Sequence, residues 1–101
     1  MLFNVRILVR LPHDIPAERL EELRAREFEA GRAFQKQGKV LHMWRIAGRY
    51  GNVVIFDVAD TDELHKILTS MPLFPFMDIE VMPLVRHPTQ GGPADSMTPE
   101  R

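Results

Sequence analysis

Hydrophobic positions change their period along this chain, and each change marks an element. Phe3, Val5, Ile7, Val9 and Leu11 alternate with Asn4, Arg6 and Arg10. A period of two with β-branched residues predicts a strand. "PHDIP" (12–16) breaks it. A helical period follows, predicting a helix over residues 16–37, with Pro16 at its start, Asp14 as its cap and Gly38 as its stop. "VLHMWRIA" (40–47) and "NVVIFDV" (52–58) read as strands joined by "GRYG", a hairpin turn with two glycines. Asp60 and Glu63 form a capping box for a second helix, whose stripe is Leu64, Ile67, Leu68 and Met71 and which ends at Pro72 and Pro75. "MDIEVMPL" (77–84) is the last strand, and Pro83 suits an edge.

The order β-α-β-β-α-β predicts an α+β, ferredoxin-like fold: a four-stranded antiparallel sheet with two helices on one face. The second strand is apolar on both sides, Val40, Trp44 and Ile46 alternating with Leu41, Met43 and Ala47, and the third contains "VVIF". A sheet face left to water alternates cleanly. The open face is therefore expected to be covered by another copy, making a homo-oligomer. Residues 1–88 are expected to form one domain. Residues 89–101, rich in Pro, Gly, Ser, Thr and charge, are expected to form a flexible tail.

Composition narrows the function classes. The formal net charge is −1 with no basic tract, which argues against nucleic acid as a partner. No cysteine is present, so no disulfide framework exists and a reducing cytoplasmic setting is expected. Charges within "MLFNVRILVR" argue against a signal peptide, and no apolar run approaches the ~20 residues of a membrane span.

The candidate chemistry starts in the first helix. Leu20, Leu23, Ala30 and Phe34 share one stripe, and Glu27 sits in the middle of it. One reading is structural: Arg24, three residues earlier, pairs with Glu27 on the helix surface. The other is catalytic: apolar neighbours strip the carboxylate of water, raise its pKa and make it a general base. His13, His42, His65 and His87 are scattered without the i, i+4 spacing of a helical metal site, so no metal is expected. His42, beside Trp44, reads as a core or interface residue. Phe74 and Phe76, held by prolines, suit either a packed connection or the rim of a small apolar pocket. Arg45, Arg49, Tyr50 and Asn52 cluster around one turn, as solvated surface or as a wall facing a small carboxylic acid. The sequence carries no phosphate loop, dinucleotide fingerprint or nucleophile elbow. Chemistry here must rest on proton transfer in a shaped cavity.

"MLF" at 1–3, "LP" at 11–12, "WRIAGRY" at 44–50 with Asn52, "FDV" at 56–58 and "PLFPFMDIEV" at 72–81 resemble the muconolactone Δ-isomerases, small bacterial enzymes of aromatic breakdown. The likeness runs from Met1 to about Pro88. It implies a ferredoxin-like fold, a decameric homo-oligomer, no cofactor and a small lactone as substrate. It also implies Glu27 as the base that moves a proton within muconolactone to give the enol-lactone of 3-oxoadipate. Arg24 stands where the family resemblance leads one to expect Lys, which makes it an anion clamp or dienolate stabiliser rather than a proton donor. Asn4 stands where several members carry His and Phe76 where Tyr is usual, both near the expected pocket. His42, Trp44, Arg45, Tyr50, Asn52 and Phe74 complete the expected substrate-binding set. Three alternatives stay open: a chloromuconolactone dehalogenase using the same base, a cofactor-independent monooxygenase, and a non-catalytic ligand-binding relative.

Overall fold

The computed structural model describes residues 1–89. The order is β1 (Leu2–Val9), α1 (Ala17–Lys36), β2 (Val40–Arg45), β3 (Gly51–Asp57), α2 (Thr61–Ser70), a 3₁₀ turn (Phe74–Phe76) and β4 (Met77–Leu84). The strands form one antiparallel sheet in the order β2-β3-β1-β4, the ferredoxin-like arrangement expected from the pattern. Pro83 lies on an edge strand, where its missing N–H costs no ladder bond. The tail expected over 89–101 lies, apart from Thr89, outside the described residues. Among those described, no helix is long and apolar enough to cross a membrane.

Both helices pack on one face, but unequally. Phe3 and Val5 of β1 are fully buried, and Leu64, Ile67 and Leu68 of α2 close over them. Three of the ten residues of α2 are buried; of the twenty in α1, only Leu23 is. Hydrophobic burial thus holds α2 to the sheet along its length. α1 stands partly away from it, and the space left beneath becomes the site.

Two ends of α1 behave differently. Pro16 is the N-cap and no side chain caps the first turn, so the expected Asp14 cap is not made. At the other end Gly38, at φ +76°, donates its N–H to Gln35 O at 3.0 Å, and Lys39 donates to Phe34 O at 3.1 Å. That pair of bonds is a Schellman cap, which needs the left-handed conformation glycine adopts freely. α2 begins as expected: the Asp60 side chain accepts from the Glu63 N–H at 2.8 Å. Glu63 reaches back one residue beyond the cap, to the Ala59 N–H at 2.7 Å, and pairs with Lys39.

The register of β2 departs from simple alternation. Val40 lies opposite Phe56 and His42 opposite Ile55, so two residues of β2 face one step of β3. The extra residue is a bulge at Leu41. It reverses the parity of everything after it. Val40, Met43 and Arg45 share the helix-covered face, while His42 and Trp44 turn to the open one. The sequence pattern had grouped Val40 with Trp44.

On the open face Trp44, 55% exposed, stacks on His42 with ring centres 5.3 Å apart and planes 10° from parallel. Towards β1 and β4 the face is mixed: Arg6 and Glu80 pair at 2.8 Å, and Met82 beside them is exposed. The apolar surface expected on the uncovered side includes Trp44 on β2 and Met82 on β4.

Candidate active site

Between α1, the inner face of the sheet and the β2–β3 turn lies a cleft of about 1250 Å³. Six of the residues singled out as candidate chemistry line it: Arg24 and Glu27 from α1, Arg45 from β2, Arg49 and Tyr50 from the turn and Asn52 from β3. Each has a local reason to face inward. Arg24 and Glu27 are three apart, one helical turn along the same side. Arg45 points in because of the bulge at Leu41. Asn52 pairs across the sheet with Ile7 and Arg45, so it shares their face. Gly51, beside it, permits a close approach: a Cβ there would lie 2.4 Å from the Ile7 carbonyl oxygen.

Glu27 is half-buried and its Oε1 accepts a hydrogen bond from the Leu73 N–H at 3.0 Å. Leu73 belongs to the connection between α2 and the 3₁₀ turn, so this bond ties α1 to a segment 46 residues away. Burial pushes the Glu27 carboxyl up from its ordinary value; the Leu73 N–H pulls it part of the way back. The ion pair with Arg24, the dull explanation of Glu27, is not formed. Arg24 turns instead to Tyr50, its Nε donating to the hydroxyl at 3.2 Å.

Among the described residues Glu27 is the only carboxylate lining the cleft, against four arginines: Arg24, Arg32, Arg45 and Arg49. None of the four is ion-paired among the described residues, whereas Arg6, Arg10 and Arg19 on the outer surfaces each have a carboxylate partner. A cleft with unpaired guanidinium groups favours an anion, and Arg is built to grip a carboxylate with two parallel bonds. Much of the remaining wall is apolar, with Met43, Met71, Leu73 and Met77 suited to a small ring.

The structure does not bring the other expected residues to the cleft. Asn4 pairs across the sheet with Ile55 and Met82 on the open face. His42 and Trp44 share that face because of the bulge. Phe74 and Phe76 lie in the 3₁₀ turn, and it is their neighbours Leu73 and Met77 that line the wall. Among the described residues no three His, Asp or Glu side chains converge as a metal ion would require. Sequence reasoning missed Arg32 and the Leu73 N–H. A backbone donor leaves no mark in sequence, and Arg32 is off the apolar stripe.

Comparison with known proteins adds to this geometry. The family model for muconolactone delta-isomerase matches residues 1–90. Muconolactone Delta-isomerase 1 of Acinetobacter lwoffii is 53% identical over 89 residues, covering 88% of this chain and 93% of the relative. The chain belongs to the muconolactone Δ-isomerase family. Another relative, the muconolactone Delta-isomerase of Acinetobacter baylyi, is 46% identical over 95% of this chain and all of its own length. A crystal structure of muconolactone isomerase superposes with a TM-score of 0.84 at 46% identity, covering 88% of this chain and 93% of that one. The muconolactone Δ-isomerase match spans every element that builds the cleft, from α1 through the β2–β3 turn to the connection before β4.

Proposed function

We propose that this protein is a cofactor-independent isomerase that moves a proton within muconolactone, or a substituted muconolactone, to give the enol-lactone of 3-oxoadipate. The observation that carries this reading is that, among the described residues, one half-buried carboxylate stands in a cleft otherwise charged by arginines without ion-pair partners. The substrate needs both features. Its carboxymethyl arm is an anion, for which Arg45, inward-facing and without an ion-pair partner among the described residues, is the clamp. Its ring hydrogen is removed from carbon, which needs a base that water does not quench.

Glu27 takes the proton from the ring carbon bearing the arm. The C–H electron pair moves through the ring double bond to the lactone carbonyl oxygen, giving a dienolate. The same carboxyl returns the proton to the carbon beside the lactone carbonyl. A single residue serves because substrate and product are isomers and no net proton is exchanged. Arg24 stays charged throughout, so it stabilises charge and does not shuttle protons.

The protein acts as a homo-oligomer, with the decamer as the expected state, assembled through the Trp44 side of the open face. This rests on the exposed apolar surface there. A cysteine-free chain suits the reducing cytoplasm. The deciding experiment is an ultraviolet assay of the purified protein with muconolactone and its methyl and chloro analogues, with chloride measured in parallel. Conversion of muconolactone without added cofactor is expected. No conversion of any lactone overturns the reading; chloride release from the chloro analogue alone replaces it with dehalogenation by the same base. Native mass measurement tests the assembly.

A further inference from the structure

Tyr50 is the only tyrosine of the chain, and it sits where two cations meet the cleft. The guanidinium carbons of Arg24 and Arg45 lie 5.3 and 5.6 Å from the centre of its ring. Arg24 Nε donates to its hydroxyl at 3.2 Å. A hydroxyl that accepts a hydrogen bond still has its own proton to give. No acceptor among the described residues takes that proton. Arg24 is one helical turn from Glu27, and Glu27 and Tyr50 both line the cleft. The three side chains therefore present a proton acceptor and a polarised donor to the same space.

On the isomerase reading above, we propose that the Tyr50 hydroxyl is a catalytic residue that donates a hydrogen bond to the lactone carbonyl oxygen as the dienolate forms. Arg24 is a positioning residue that acts through it. As Glu27 breaks the C–H bond, the electron pair moves through the ring double bond to the lactone carbonyl oxygen, which becomes the negative end of the dienolate. Tyr50 keeps its proton and lends it as a hydrogen bond. When Glu27 returns the abstracted proton to carbon, the carbonyl re-forms and the bond to Tyr50 weakens. A donor aimed at an oxygen that gains charge only in the transition state raises kcat rather than binding. Arg24 fixes the hydroxyl's direction and strengthens it as a donor, because its charge cannot be titrated away. The arrangement divides the labour of the two arginines: Arg45 meets the substrate's carboxylate and Arg24 meets Tyr50.

The test uses the intact protein and four variants, Tyr50→Phe, Arg24→Met, the double variant and Glu27→Gln, assayed on muconolactone. Tyr50→Phe is expected to lower kcat about 10²–10³-fold, the usual effect of removing one such donor, with KM changed less than threefold. Arg24→Met is expected to lower kcat by about tenfold alone and by less than twofold in the Tyr50→Phe background, because the two act as a unit. With one tyrosine per chain, growth on 3-fluorotyrosine labels position 50 alone. This hydroxyl-bearing replacement is expected to keep kcat within about tenfold of the parent, which a ring serving only for packing does not predict when Phe fails. Tyr50→Phe with kcat within threefold of the parent overturns the proposal. Additive effects of Arg24→Met and Tyr50→Phe, with KM rising in the Arg24 variant, overturn the positioning role. If the parent and every variant leave muconolactone unchanged, the isomerase reading itself fails and this proposal with it. A parent that turns over, with Glu27→Gln dead and Tyr50→Phe intact, isolates the failure to Tyr50.

Discussion

Replacing Glu27 by Gln separates the two tasks its side chain performs. Gln has nearly the same shape and still offers an oxygen to the Leu73 N–H, 3.0 Å away, but it cannot accept a proton from carbon. Loss of a general base lowers the rate by about 10²–10⁴, equivalent to roughly 2.7–5.5 kcal/mol of barrier. The fold responds far less. Exchanging a charge-assisted hydrogen bond for a neutral one gives up about 1 kcal/mol. Against that, the burial that pushes the carboxyl up no longer opposes folding. With the two effects opposed, Tm should stay within about 5 °C of the parent, since ~1 kcal/mol moves a domain of this size by about 4–8 °C. Glu27→Ala instead strands the N–H of Leu73, which is 3% exposed. That adds about 1–3 kcal/mol of cost, roughly 4–24 °C.

The pH dependence carries a sign. The folded carboxyl holds its proton more tightly than the unfolded one. Parent stability contributed by Glu27 is therefore full below the ordinary carboxylate range and lost as pH rises through the raised folded value. Activity moves the opposite way, kcat/KM rising as the carboxyl ionises. The Gln variant should lack both slopes. Turnover by ultraviolet absorbance and melting by circular dichroism, each from pH 4 to 8, read them out. A Gln variant within threefold of parental turnover refutes the base. One that melts as low as the Ala variant refutes the claim that Gln preserves the tie to Leu73.

Gly51→Ala places a methyl group 2.4 Å from the Ile7 carbonyl and 2.8 Å from Leu8 Cδ2; a loss of about 1–3 kcal/mol is expected in urea melts, and an unchanged midpoint argues against the close approach. Asp60→Ala removes the acceptor for the Glu63 N–H and should cost about 1 kcal/mol, a drop of roughly 4–8 °C by calorimetry. The Ala59 N–H and then Lys39 hold the Glu63 carboxyl below its ordinary value; the stability this gives is full above the ordinary carboxylate range and lost as pH falls through the depressed value, so Glu63→Gln should flatten the acid side of the stability curve, and an identical curve contradicts it. Trp44→Lys, at a position 55% exposed in the single chain, should lower the oligomeric mass in native spectrometry while the circular dichroism spectrum stays that of a folded protein; an unchanged mass removes this face from the assembly.

The fold was legible because its signals are local. Alternation in β1, the Gly38 stop, the Asp60 cap and Pro83 at an edge each have a short-range physical cause, and together they dictate the order of elements. Glu27 was legible because a carboxylate on an apolar stripe is a local contradiction. The partners of Glu27 were not. Its hydrogen bond comes from a backbone group 46 residues away, and backbone groups are the same at every position. Asn4, His42 and Trp44, strand residues that lie away from this cleft, are a different case. Assigning faces in β2 needs the count of residues opposite β3, and that count includes a bulge the hydrophobic pattern hides because Leu41, Met43 and Trp44 are all apolar. Asn4 was placed near the pocket by family likeness, yet its own alternation with Phe3 and Val5 sets it on the other side of the sheet.

That bulge has a genetic consequence. Loss of one codon at Leu41 would remove the extra residue and leave His42, Met43, Trp44 and Arg45 opposite the same residues of β3. The indole would stay outside and Arg45 would stay among the arginines of the cleft. Homologous genes should therefore tolerate a single-residue deletion at this point far better than one in β1, where no extra residue exists to absorb the shift and side chains would change face.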